Sequence, residues 1–153
     1  MPAYAIIGGQ WGDEGKGKIV DYLSATADLV VRFSGGNNAG HTVINDQGEF
    51  KFHLIPCGVF WPQVTCLIGN GVVVDPDVFL DEIESLEAEG IDTDRIKLSD
   101  KAHLVMPYHI VLDQLEEEAR GSASIGTTGK GIGPAYVDKV ARSGIRVYHL
   151  QNL

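Results

Sequence analysis

The sequence predicts an α/β fold, a mostly parallel sheet flanked by helices. Three observations carry this. Short apolar runs suit strands buried on both faces, apolar stripes of helical period lie between them, and glycine clusters mark the passages from one to the other. At 153 residues the chain is near the common size of one domain, and 19 glycines are about twice the usual share. The 44% apolar and 22% charged fractions suit a soluble globular protein, and neither an internal repeat nor a low-complexity tract interrupts them.

Taken in order, "YAIIG" reads as a strand buried on both faces, followed by the glycine loop "GGQWGDEGKGK". Ile19, Val20, Tyr22 and Leu23 then recur at helical spacing, so a helix starts near Gly15 with Lys16 and Lys18 in its first turn. "DLVVRFSGG" is a second strand, and "NNAGHT" a loop before the strands "TVIN" and "FKFHLI", which turn at "DQG". "VTCLIGNGVVV" is a buried strand broken by Gly69 and Gly71. Asp75 as N-cap and Pro76 at the first position open a helix with Phe79, Ile83 and Leu86 on one face and a solvated acidic outer face, closed by Gly90. "RIKLS" suits a strand, and Pro107 opens a helix that ends at Gly121, with Tyr108, Val111, Leu112 and Leu115 facing inward. A second glycine loop, "GSASIGTTGKGIGP", follows, and Pro134 argues against a Rossmann-type helix start directly after it.

The formal charge of −9 argues against charge-driven binding to nucleic acid or to an anionic membrane, so any anionic ligand needs a local basic site. Cys57 and Cys66 form no CxxC pair and read as buried small hydrophobes in a reduced, cytoplasmic setting. No apolar run reaches the roughly 18 residues of a membrane span, and the N-terminus lacks the pattern of a secretory signal.

Three loops are candidates for chemistry. "GDEGKGK" matches the first seven positions of a Walker A loop, but Ile19 stands where the magnesium-binding hydroxyl belongs, which makes it a deviant phosphate loop. An oxygen ligand for a nucleotide magnesium must then come from elsewhere, and Asp13 is a suitable hard donor. A tight strand-to-helix turn with surface charges is the plainer reading. His41 lies in "GGNNAGHT" after a strand, where open α/β sheets place their crevices, and Asn37, Asn38, Gly40 and Thr42 beside it suit a phosphate or nucleobase. His53, His103, His109 and His149 lack such company and read as structural or surface residues. In "IGTTGKGIGP", Thr127, Thr128 and Lys130 suit either a second anion site or a glycine hinge. Arg142 and Arg146 suit either bidentate phosphate contact or solvated positions.

Together "GQWGDEGKGKIVD", "GGNNAGHT", "HLIPCG", "IGNGVVVDP" and "IGTTGKGIGPAYVDKVAR" resemble, in order, the N-terminal part of the adenylosuccinate synthetase family. The resemblance implies a P-loop-NTPase-like fold, here an incomplete domain: residues 1–153 would be the N-terminal part of a single domain that binds GTP and inosine monophosphate (IMP). It implies a GTP-dependent ligase that joins IMP to L-aspartate through a 6-phosphoryl-IMP intermediate, giving adenylosuccinate, GDP and phosphate. Asp13 would be the base that takes the purine N1 proton and a magnesium ligand, with the Gly40 carbonyl as a second ligand. His41 would be the general acid, and Lys16 joins these two among the catalytic residues.

Gly12, Asp13, Glu14, Gly15, Lys16, Gly17 and Lys18 would cradle GTP phosphates together with Gly40, His41 and Thr42. IMP would lie against Asp13 to Lys16 and against Asn38, Ala39, Gly40 and His41. Thr128 would contact the IMP phosphate, and Arg142 would reach the partner's site in a homodimer. The family continues well beyond "RVYHLQNL", so the 153-residue piece is expected to be truncated, to have little or no synthetase activity alone, and to self-associate through exposed apolar surface. A GTP-binding switch that ligates nothing is the competing reading. A dinucleotide-binding domain is disfavoured by the lack of a well-placed G-x-G-x-x-G.

Overall fold

The computed structural model describes residues 2–11, 14–45 and 48–152. Strands β1 (Leu29–Arg32), β4 (Thr65–Ile68) and β6 (Ile96–Leu98) form a parallel sheet in the order β1-β4-β6. β2 (His41–Asn45) and β3 (Gly48–Phe52) form an antiparallel hairpin, with His41 opposite Phe52. β5 (Val73–Val74) pairs in parallel with β7 (His103–Leu104), and a Gly35–Val72 bridge carries the parallel pairing past the break at Gly69. Helices α1 (Lys16–Ser24), α2 (Pro76–Ala88), α3 (Pro107–Arg120) and α4 (Ile132–Ala141) flank these strands. The architecture is the predicted mostly parallel α/β arrangement.

Local signals act where the sequence places them. The Asp75 side chain accepts the N–H groups of Asp77 and Val78, Pro76 takes the first helical position, and Gly90 follows α2 at φ 74°. Both core clusters lie on one face of the sheet: Val30, Cys66 and Ile96 align there, with Ile68 and Leu98 two positions further on, while Leu29 and Val31 on the opposite face are exposed. Phe50, Phe52, Val59, Val64, Cys66 and Leu86 pack together, while Leu54, Ile68, Val72, Val74 and Leu104 form a second cluster.

Four expectations are corrected. "YAIIG" is not a strand: residues 2–9 have no regular structure, and Tyr4 and Ile7 are exposed. An apolar run becomes a strand only against a paired edge, and no described strand pairs with it. Tyr108, Val111, Leu112 and Leu115 do not face inward; all are exposed, and α3 buries His109 and Asp113 instead. The acidic face of α2 is not all solvated, because Glu82 is buried and accepts the N–H groups of His53, Leu54 (3.2 and 3.1 Å) and Ile55 (2.9 Å). Finally, α4 begins at Ile132, inside the stretch read as the second glycine loop. Pro134 falls in its first turn, where a missing N–H breaks no helical bond.

The last correction has a structural basis in Gly131. It precedes α4 at φ 72°, and a Cβ there would lie 2.8 Å from the backbone of His109 and Ile110, so glycine alone lets α4 start against α3.

Candidate functional site

The first glycine loop ends at Gly15, whose φ of 77° turns the chain into α1 without a side-chain cap. A helix start of this kind, with no side-chain cap at its N-cap residue, is where helix N-termini receive anions. Lys16 is half-buried, and its Nζ lies 2.8 Å from Glu14 Oε2, while Glu14 Oε1 accepts the Gln10 N–H at 2.9 Å. Glu14, Gly15 and Lys18 are exposed. Gly12 and Asp13 lie outside the described residues.

His41 meets this loop at Gly17. A Cβ on Gly17 would lie 3.2–3.3 Å from three atoms of His41, so glycine allows α1 to rest on the ring. Burial, then the Arg32 and His53 charges, push the His41 pKa down to about 4. Burial pushes the Cys57 thiol up to about 11. The neutral ring and protonated thiol meet at 3.0 Å, Cys57 Sγ against His41 Nε2. Both cysteines are free and buried, as expected, but Cys57 is also a histidine partner, a role no spacing in the sequence announces.

The second glycine loop reaches the first strand's loop. Lys130 Nζ donates to the Asn37 carbonyl at 3.1 Å. The Tyr136 hydroxyl accepts the Gly35 N–H at 2.8 Å and donates to the Gly71 carbonyl at 2.9 Å. Asn37 is 1% exposed and bonds to Asp75 through Nδ2 at 3.1 Å, while its buried Oδ1 has no partner among the described residues. Asn38, Ala39, Gly40 and Thr42 follow on the surface beside half-buried His41. The structure therefore gathers Lys16, Gly17, the loop of residues 37–42 and Lys130 at one end of the sheet.

Thr128 and Arg142 stand apart. Thr128 borders a shallow depression of about 400 Å³ with Gln114, Glu117 and Thr127. Glu117 accepts the N–H groups of Gly126 (3.0 Å) and Thr127 (3.3 Å), which hold its carboxyl below the usual range. Arg142 follows α4 in the left-handed region at φ 64° and is exposed. Among the described residues no cluster of three metal-binding side chains occurs, and no helix is long and apolar enough to cross a membrane.

The adenylosuccinate synthetase family profile matches residues 5–153. The chain belongs to the adenylosuccinate synthetase family. It is similar to the adenylosuccinate synthetase of Dehalococcoides mccartyi strain 195, with 67% identity over 147 residues, 96% of this chain and 35% of that protein. Against the Heliobacterium modesticaldum adenylosuccinate synthetase the identity is 58% over 150 residues, 98% of this chain and 35% of that one. The chain thus spans about a third of the length of the curated relatives it matches.

Two solved structures share the fold. The fully ligated adenylosuccinate synthetase of Plasmodium falciparum superimposes with a TM-score of 0.82 at 43% identity, over 91% of this chain and 33% of that one. The cyanophage S-2L succinoaminodeoxyadenylate synthetase, bound to dGMP and to dATP as an energy donor, gives 0.71 at 26% identity over 94% of this chain and 40% of that one. Membership of the adenylosuccinate synthetase family agrees with the P-loop-like ordering of glycine loop and helix at Gly15.

Proposed function

We propose that this chain is the nucleotide-handling N-terminal part, within a single GTP- and IMP-binding domain, of a ligase that joins IMP to L-aspartate with GTP as energy donor, acting in the cytoplasm as a homodimer. The observation that carries the reading is the seating of His41 against Gly17, which puts a proton-carrying ring beside the first turn of a phosphate loop. A switch that only holds a nucleotide needs the loop but not the ring.

In this reading the N–H groups at the start of α1, with Lys16 and Lys18, hold GTP phosphates. Asp13 takes the N1 proton of IMP, which makes the 6-oxygen nucleophilic towards the γ-phosphoryl group. His41 donates at that transfer site. Its low proton affinity in the free protein comes from burial and from the Arg32 and His53 charges, and an arriving phosphoryl anion opposes all three. The Asp13 carboxylate and Gly40 carbonyl are hard oxygen donors that fit magnesium, an ion commonly held by one or two carboxylates plus nucleotide phosphates. When bound, magnesium neutralises charge on the transferring phosphoryl group. Asn38 to His41 and Thr128 would hold IMP, and Arg142 would reach the partner's site.

The test uses the full-length synthetase to which we assign this segment. Asp13→Ala and His41→Ala are each expected to abolish adenylosuccinate formation while GTP and IMP still bind, measured by calorimetry. Turnover surviving either change refutes the ligase assignment of these residues. Assaying ATP against GTP and dGMP against IMP distinguishes the proposed substrates from those bound by the cyanophage relative.

A further inference from the structure

The buried face of α3 is polar at the two points where it holds α4. At the near end, Asp113 Oδ2 accepts the Gly131 N–H at 2.9 Å. At the far end, His109 Nδ1 accepts the Met106 N–H at 2.9 Å, so Nε2 carries the ring proton and donates to Asp138 Oδ2 at 3.0 Å. The Tyr108 hydroxyl donates to the same oxygen at 2.9 Å, and Ser143 Oγ donates to Asp138 Oδ1 at 3.1 Å. The Asp138 carbonyl accepts the N–H groups of Ser143 (3.0 Å) and Gly144 (3.2 Å). Asp138 therefore receives bonds from α3 and from both residues that follow Arg142.

Arg142 sits inside this clip. Among the described residues it is the only non-glycine with positive φ, in a helix-ending position that glycine usually fills. A side chain persists in that region where its surroundings over-determine the backbone, and such residues cluster at functional sites. We infer that Asp138 is a positioning residue for Arg142: with Ser143, His109 and Tyr108 it fixes the left-handed turn that projects the guanidinium from the end of α4 as a preset phosphate ligand. This rests on the proposed reading that Arg142 reaches the partner's site as a substrate-binding residue, and takes the substrate phosphate there as its ligand.

The experiment is steady-state kinetics on Arg142→Ala, Asp138→Ala, Asp138→Asn, Ser143→Ala and the Asp138→Ala/Arg142→Ala double variant of the full-length synthetase. Arg142→Ala should raise the KM for IMP by about tenfold or more, the scale of a lost charge-assisted bond. Asp138→Ala should raise it by about fivefold and Ser143→Ala by about twofold, with kcat and the KM for GTP little changed. Asp138→Asn, which keeps an acceptor, should recover most of the loss. The double variant should be no worse than Arg142→Ala.

If Asp138→Ala raises the KM as much without Arg142 as with it, or lowers kcat instead, the clip is structural only and the inference falls while the Arg142 reading stands. An unchanged KM in Arg142→Ala overturns that reading and the inference together. Should Asp138→Ala fail to fold, Ser143→Ala and Asp138→Asn decide: no rise in the KM for IMP in Ser143→Ala, or as large a rise in Asp138→Asn as in Arg142→Ala, overturns the inference.

Discussion

Replacing Glu82 with alanine removes the acceptor of three consecutive backbone N–H groups, those of His53, Leu54 and Ile55. Leu54 and Ile55 are both 0% exposed, so water cannot take over their donors, whereas His53 is half-buried and can rehydrate. Each buried N–H left unpaired costs about 1–3 kcal/mol, giving about 2–6 kcal/mol for the pair. That is a large share of the roughly 5–15 kcal/mol that holds a domain together. Glu82→Gln keeps one carbonyl oxygen but turns an NH2 towards other donors, and should cost about 1–3 kcal/mol.

The assay is urea denaturation of this chain followed by fluorescence, with exposed Glu84→Ala as control. At a slope of about 2 kcal/mol per molar urea, Glu82→Ala should lower the midpoint by about 1–3 M, and the control should move it by less than about 0.3 M. Glu82→Ala behaving like Glu84→Ala would refute the reasoning, since an acidic residue of α2 would then be as solvated as the sequence suggested.

Two further outcomes follow from the site. Gly17→Ala gains helix propensity but meets the His41 ring at 3.3 Å, so stability should change by less than about 1 kcal/mol while the full-length synthetase loses most of its activity; a fully active variant refutes the seating of the ring. On acidification the chain should lose stability between pH 6.5 and about 4. His41 is held down to about 4 chiefly by burial, and His103 is lowered by burial and by Lys139 and Arg146. Below pH 6.5 the unfolded chain binds protons that the folded one resists, so this contribution is complete above 6.5 and lost on descent. A denaturation midpoint that stays flat or rises from pH 6.5 to 4.5 contradicts it, and His41→Gln with His103→Gln should flatten the curve.

How much of this was legible in the sequence depended on how local the cause was. The two strands of the 41–52 hairpin and the start of α2 were readable because strand runs, the Asp75 cap and Pro76 act within a few positions, although β3 ends at Phe52 rather than continuing through Ile55, and the predicted turn at "DQG" includes Asp46 and Gln47, which lie outside the described residues. The glycine loops were marked by composition, and the loop of residues 37–42 by its place after β1. Glu82 was not, because its partners are backbone groups 27–29 positions away and leave no pattern in side chains. Period alone predicted α3 but could not say which face turns inward. Its apolar stripe faces out, while His109 and Asp113 are buried because they hold the two ends of α4. Cys57 looked like a small hydrophobe, and only the fold brings it to His41.

Each glycine loop meets a carboxylate on donors that an anion would use, Glu14 within the first loop and Glu117 of α3 against the second. Glu14 takes the Gln10 N–H and pairs with Lys16, and Glu117 takes the N–H groups of Gly126 and Thr127. Left bare, such donors would be satisfied only by water, and the loops would lose one reason to keep their shape. An internal carboxylate keeps the donors partnered, but it also sets a threshold, because a ligand must displace it. A phosphate brings more charge and more acceptor oxygens than a carboxylate, so the exchange favours phosphate over a carboxylic acid at the same site. In the proposed reading such acidic residues sharpen selection among anions, and Asp13, whose carboxylate would weaken simple anion binding, would serve as base and metal ligand.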